Sequence, residues 1–484
     1  MVKNNISRRN FLGQASCAAI GSTTIFSTLF NLKAVNAAAS FNSSINNNTE
    51  DYKALVCILN SGGIDSFNML VPRSTAAYNQ YATTRSNMAL AQGALRPINP
   101  LNADSQGRTF GFHPSMVHMQ NLFEAGKLAF INNVGTLVQP ITKAQFYNGT
   151  APSPLGLYSH SDQQLQWQTG IPQERTSIGW GGKIADLLIS ANPNQTISMN
   201  ISLSGSNIFQ TGENTVEYAL HPQDGSLGII DYNNQDWVLH TMKRAAIDGM
   251  IHPAYKNVFK NTYRKTIKTA IDGNEMLSAV LDNPPIFNVP FTTQDNDLGG
   301  SLQMIARTIA GRSELNVKRQ IFFVDIGGWD MHDELLNAQA AGLSIVDTAL
   351  YQFNAAMEQL GVSDKVTVFS LSEFSRTLTS NGNGTDHAWG GNVFVMGGAV
   401  NGRRLYGQYP SLALTNYNSN PSLDTNPLEV GGGSLIPTTS ADQYFAEIAL
   451  WYGVPASDLV MLFPNIGNFY NPMSGVPPIG FLDI

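Results

Sequence analysis

Cysteine is nearly absent from this chain: its 484 residues hold two, Cys17 and Cys57. That excludes a disulfide framework. Redox chemistry has little to build on either, since there is no haem-attachment motif and no dinucleotide-binding glycine fingerprint. Charge is also scarce, at 13% of residues, and 28 basic against 35 acidic side chains give a net charge of −7. A chain with that balance is not expected to seek nucleic acid or an anionic membrane. No run after residue 37 approaches the roughly 18 to 20 apolar residues of a membrane span, and no internal repeat is visible.

What is present is a large stock of core residues, 43% apolar and 10% aromatic. The chain is long enough to bury one large core or two ordinary ones. Its abundant Gly, Asn, Ser and Thr suit an exported protein with a polar, weakly charged surface. The N-terminus points the same way. Ser7-Arg-Arg-Asn-Phe-Leu12 precedes a mildly apolar run, Ala15 to Leu32, and Val35-Asn-Ala37 offers small residues for cleavage. Residues 1–37 therefore read as a twin-arginine export signal, with Arg8 and Arg9 as the pair and the translocase as partner. The expected location is periplasmic or extracellular. Cleavage there removes four basic residues and no acid, leaving an excess of eleven negative charges. Residues 38–50 read as a flexible leader and residues 51–484 as a single domain.

Along that domain, short continuous apolar runs alternate with longer periodic segments. Ala54–Leu59, Lys127–Asn132, Lys318–Asp325, Val366–Leu371 and Val393–Met396 read as strands buried on both faces. Ser115–Ala125, Lys183–Ser190, Ala246–Ser278, Gly300–Ala310, Glu334–Gln359 and Ala441–Tyr452 read as helices. The alternation predicts an α/β fold, a mostly parallel central sheet sandwiched by helices. Ligands of such sheets bind beyond the carboxyl ends of the strands. Residues 195–297 are Asn-rich, show no clear buried strand, and read as an insertion capping the site.

The strand ends collect a distinctive set of side chains. Asp65 follows the first strand through Gly62-Gly63; Asp330 and His332 follow the Ile321 strand; Glu373 ends the Val366 strand, with Arg376, Asp386 and His387 in the loop beyond it. Mixed carboxylate and imidazole ligands suit zinc, manganese or iron better than calcium or magnesium, with calcium kept as a further candidate. Each residue also has a structural reading. Asp65 and Asp330 are possible helix or turn caps, and Glu373 with Arg376 a possible ion pair.

Several blocks resemble a known family. G-G-I-D-S-F-N (Gly62 to Asn68), Y-S-H-S-D-Q-Q-L-Q-W-Q-T-G (Tyr158 to Gly170), G-G-W-D-M-H (Gly327 to His332), S-E-F-S-R-T (Ser372 to Thr377) and T-D-H-A-W-G-G (Thr385 to Gly391) are similar, in order and spacing, to the signature blocks of the bacterial domain of unknown function 1501 family. That family is similar to the alkaline phosphatase and sulfatase superfamily. The resemblance implies an alkaline-phosphatase-like fold and a divalent metal held by Asp65, Asp330, His332, Glu373 and His387, with Asp386 a ligand or the partner that orients His387. Where the superfamily commonly has an Asp-His pair at a strand end, this chain has Glu373-Phe374.

By the same resemblance Ser159 or Ser161 stands where the superfamily carries its nucleophile, at a helix start that favours an anionic ester. Arg376 would hold the ester's free oxygens. Formylglycine made from cysteine is excluded there, and Ser161 with Gln164 equally forms a capping box. Two functions follow: a metal-dependent hydrolase of phosphate or sulfate esters, with a polysaccharide or lipid as carrier, or a non-catalytic binding or assembly protein that keeps the fold.

Overall fold

The computed structural model describes residues 51–226, 228, 232, 237–415 and 424–484. The expected signal and leader, residues 1–50, lie outside them. Thirteen strands are found among the described residues: β1 (Lys53–Asn60), β2 (Leu70–Pro72), β3 (Arg96–Ile98), β4 (Phe110–Phe112), β5 (Leu128–Gly135), β6 (Asn200–Ser202), β7 (Tyr218–His221), β8 (Gly225–Ser226), β9 (Arg319–Ile326), β10 (Val366–Leu371), β11 (Gly391–Gly397), β12 (Leu405–Tyr406) and β13 (Thr439–Ser440). Strands β2, β4 and β3 form a small antiparallel sheet. The other ten form the central sheet in the order β12-β5-β11-β10-β1-β9-β6-β7-β8, with β13 also paired to β5. Its neighbours are parallel except at β11, which opposes both β10 and β5, and at β8, which opposes β7.

The apolar runs are continuous because the sheet is covered on both faces. In β1, Ala54, Val56 and Ile58 point into one layer, and Leu55, Cys57 and Leu59 into the other. The first layer is closed by helices Val117–Glu124, Asp297–Ala310 and Leu335–Gln359, the second by Trp180–Leu187 and Ala441–Tyr452. Successive side chains of a strand alternate between faces, so a doubly covered strand has no polar phase. The expected α/β sandwich with a mostly parallel sheet is the observed architecture. The stripe on the long helix also packs as its spacing predicts, with Leu343, Val346, Leu350, Phe353 and Met357 in the core.

Two expectations for residues 195–297 need correction. This segment does supply buried strand: β6 extends the central sheet beside β9, Asn200 facing Ile321. Three residues are too few to register as an apolar run. The single helix expected over Ala246–Ser278 is two, Val238–Ile251 and Val258–Leu281. Pro253 lies between them, and a proline there has no amide hydrogen with which to continue the ladder. The second of these helices packs on β8 and on Asp297–Ala310. From this segment, Thr293 and Asp295 reach the end of β9, where they line a cavity of about 720 Å³ with Asp325 and Trp329.

The C-terminus is fastened by one carboxylate. Glu447 is fully buried and accepts from the backbone N–H groups of Ile479 (2.6 Å), Gly480 (2.7 Å) and Leu482 (2.8 Å). Glu447→Ala leaves these donors without an acceptor, at a cost of roughly 3 kcal/mol. Urea denaturation is expected to show that loss, with faster amide exchange confined first to residues 479–482.

Candidate metal centre

Strands β9, β1 and β10 are adjacent and parallel, so their carboxyl ends open on one edge of the sheet. Glycines let the loops beyond them close up. Gly62 has φ +121°, and a Cβ there would stand 2.3 Å from the backbone nitrogen of Asp330. At Gly384 a Cβ would stand 2.3 Å from the carbonyl carbon of His332. The loop after β10 and the approach to β11 are joined by an antiparallel bridge, Arg376 with His387. Thr377 N–H donates to the Asp386 carbonyl and Ala388 N–H to that of Ser375, each at 2.8 Å.

Asp330 stands at the centre of the resulting cluster. Its Oδ1 accepts from Arg376 Nη1 at 2.8 Å and lies 3.0 Å from His332 Nε2 and 3.2 Å from His387 Nε2. Its Oδ2 lies 3.5 Å from His160 Nε2. Partial burial alone would raise this carboxyl's pKa. Hydrogen bonds from Arg376 and His387, and the charges of Arg376 and His332, outweigh that and hold it below the usual carboxylate range.

The other nitrogen of each imidazole meets an acceptor. His160 Nδ1 is 2.9 Å from Glu373 Oε1, His332 Nδ1 is 3.2 Å from Asp386 Oδ1, and His387 Nδ1 is 2.8 Å from the Tyr158 carbonyl. Carboxylates and carbonyls accept, so a ring that donates through Nδ1 to its rear partner turns an Nε2 lone pair inward, the form in which it can hold a metal ion, whereas a ring protonated at Nε2 donates to Asp330 instead. The Nε2 atoms of His332 and His387 are 3.0 Å apart. Lone pairs so close to each other and to a carboxylate oxygen repel until a cation, a proton or a metal ion, stands among them. Ligand atoms of His160, Asp330 and His387 all lie within 4.8 Å of one another.

Glu373 anchors the back of this group. It is fully buried, and its Oε1 also accepts from Gly62 N–H (2.7 Å) and Gln164 Nε2 (3.0 Å), while Oε2 has no protein donor. The ring of Phe374 stacks on His387 with centroids 4.4 Å apart.

Three of the expected ligands are thus brought together, Glu373 stands behind them, and Asp65 lies apart. Asp330, His332 and His387 converge, and Glu373 and Asp386 buttress His160 and His332. Asp386 therefore orients His332 rather than His387. Asp65 is buried elsewhere in the same loop, its carboxylate bonded to the buried Arg85. Arg376 is fully buried, and its guanidinium meets Asp330, the Gly62 carbonyl and Thr385. It holds Asp330 in place. Ser159 is the N-cap of helix His160–Thr169, accepting from Asp162 N–H, so the cap falls two residues earlier than the Ser161 and Gln164 pairing predicts. Ser161 is exposed, its Oγ 3.2 Å from that of Ser159. His160 was not foreseen as a ligand. Its signal was the block Tyr158 to Gly170, in which it is the only imidazole.

The family described as Protein of unknown function (DUF1501) matches residues 52–425. The chain belongs to this family. No curated protein matches this DUF1501 member. Among solved structures it is similar to the lipoteichoic acid synthase LtaP from Listeria monocytogenes, at 9% identity and a TM-score of 0.34 over 90% of this chain and 81% of that one. It is similar also to Ps i-CgsB in complex with k-i-k-neocarrahexaose (12%, 0.29, 87% and 77%) and to a TAB5 alkaline phosphatase mutant with Mg bound in the M3 site (11%, 0.25, 72% and 91%). Scores of this size assign no chemistry to the chain.

Proposed function

We propose that this DUF1501 protein is an exported metalloprotein that holds one divalent ion of the zinc, manganese or iron type on His160, Asp330, His332 and His387, and that the site serves hydrolysis of a phosphate or sulfate ester. The observation that carries the reading is the orientation of the three imidazoles. Each is fixed through Nδ1 by an acceptor and turns Nε2 towards Asp330, the arrangement that orients histidine ligands in metal sites. Three imidazoles and one carboxylate favour a borderline ion over calcium or magnesium. A bound ion would supply Lewis-acid polarisation of an ester oxygen.

The chain's own groups fit around that role. Ser161 presents its hydroxyl in the first helical turn beside His160, and Ser159 Oγ holds it by a hydrogen bond. Arg376 keeps Asp330 ionised and in place. Export rests on the Arg8 and Arg9 pair and the segment behind it.

A second reading is favoured by the duties already assigned to two groups. Ser159 caps a helix and Arg376 is enclosed by protein acceptors, which suits a metal-holding binding protein without turnover. The protein purified without chelator, assayed for metal and then screened on aryl phosphate and aryl sulfate esters, separates the two. Turnover lost on Ser161→Ala, with metal retained, supports hydrolysis; metal without turnover supports the binding reading.

A change outside the ligand set gives an independent check. Asp386 is exposed, so Asp386→Ala is expected to leave the fold intact while removing the acceptor for His332 Nδ1 and, with it, that for Asn381 Nδ2. Metal affinity by competition titration is expected to fall about 10- to 100-fold.

A further inference from the structure

The acidic net charge conceals a strongly basic segment. Between Trp237 and Lys268 the sequence carries seven of the chain's 28 basic residues and a single acid, Asp248. The structure folds this stretch into helix Val238–Ile251 and the first turns of helix Val258–Leu281. Ile247, Ile251, Ile267 and Ile271 pack inward around Tyr232. On the first helix, Val238, Leu239 and Met242 fall on the opposite side and reach solvent at 65%, 49% and 62% exposure. Trp237 (56%) and, at the start of the second helix, Phe259 (85%) and Tyr263 (71%) are exposed as well.

Large apolar side chains at this density on a surface call for a partner. We propose that this helical pair is a docking surface for an anionic phospholipid membrane, lying in the headgroup region with its aromatic and aliphatic side chains inserted and the exposed Lys256, Lys260 and Lys265 on the lipid phosphates, while Arg244 and Lys268 are held by Asp248, Glu275 and Asp272. Three features carry this choice of occupant. The exposed apolar set includes Trp, Tyr and Phe, which suit the boundary between headgroup and acyl chain, and it is interleaved with cations, the composition of an interfacial amphipathic helix. The rest of the chain is acidic and repelled by the same lipids, so the attraction orients the protein hairpin first. A two-fold pairing with a second copy would instead bring two clusters of like charge face to face. This binding is peripheral, since no described helix is long and apolar enough to cross a membrane.

The proposal is independent of the metal centre and is tested without it. The full chain is mixed with vesicles of phosphatidylcholine alone, or of phosphatidylcholine with about 30% phosphatidylglycerol, and sedimented at low and high salt. The parent is compared with Lys256→Glu/Lys260→Glu and with Trp237→Ser/Phe259→Ser. All four side chains are exposed, and circular dichroism verifies that each variant is folded. Because every protein keeps Arg8, Arg9 and the apolar run after them, the difference between parent and variants isolates the hairpin. The expected result is binding to the anionic vesicles alone, weakened at least about tenfold by the charge reversals and by salt, and weakened also by the serine substitutions. Equal binding by parent and variants, or none by the parent, overturns the proposal. So does a parent that dimerises without lipid through Phe259 and stays in the supernatant when the vesicles are sedimented, which would make the patch a protein interface.

Discussion

Asp330→Ala/His387→Ala is expected to empty the protein of metal, while the parent retains about one ion per chain after desalting. Asp330 is the group towards which all three inward nitrogens turn, and His387 Nε2 lies 3.0 Å from His332 Nε2 and 3.2 Å from Asp330 Oδ1. Without the two, only His160 and His332 remain, each still fixed from behind but with no carboxylate between them. Elemental analysis reads the result directly, and thermal unfolding reads it a second way. A ligand present at a thousand times its dissociation constant stabilises the native state by about 4 kcal/mol, so chelator should lower the melting temperature of the parent and leave that of the double variant unchanged. A folded parent that takes up no zinc, manganese, iron or calcium from solution would refute the metal centre.

Arg85→Ala is expected to cost about 3 to 5 kcal/mol of stability, the largest single-site loss foreseen in this chain. Arg85 is fully buried and Asp65 is 1% exposed. The arginine also donates to the Thr377 carbonyl at 3.0 Å, tying the loop after β1 to the loop after β10. Taking it away strands the Asp65 carboxylate in the interior, where Oδ1 already lacks a donor. Replacing both partners, as in Asp65→Asn/Arg85→Met, removes the uncompensated charge and should recover much of the loss in urea denaturation. Metal content per folded chain should stay at the parent's value in both variants. That result would place Asp65 outside the ligand set, whereas metal loss with Asp65→Asn/Arg85→Met would restore it.

The sheet was readable in the sequence because doubly buried strands carry unbroken apolar runs, and all five expected runs lie in it. Direction was not readable, since V-F-V-M in β11 is equally apolar from either end and its reversal is decided by pairing with β10 and β5. The short strands β6, β7 and β8 escape for lack of length, and the break at Pro253 is hidden in a segment otherwise rich in helix formers. At the site, Asp330, His332 and His387 could be found because they follow strand ends. His160 follows no strand, and its placement depends on the cap at Ser159 and on Glu373 across the sheet edge. Asp65 looked like a ligand because its partner, Arg85, ends a helix of residues 75–85 whose weak amphipathicity gave no sign of a buried cation.

The reversal of β11 also sets an order of events. The connection leaving β10 and returning into β11 delivers Glu373 and His387 within a short stretch of chain, but His160 and Asp330 arrive from positions 227 and 57 residues before His387. No fragment holding one or two of these blocks contains the full donor set. Contacts so distant in sequence form only once the strands between them have been paired, so capture of the proposed ion would be a late step on an assembled sheet. Nascent or truncated chains should therefore show little affinity for metal, and the ion should act as a lock on the finished fold rather than as a nucleus for it.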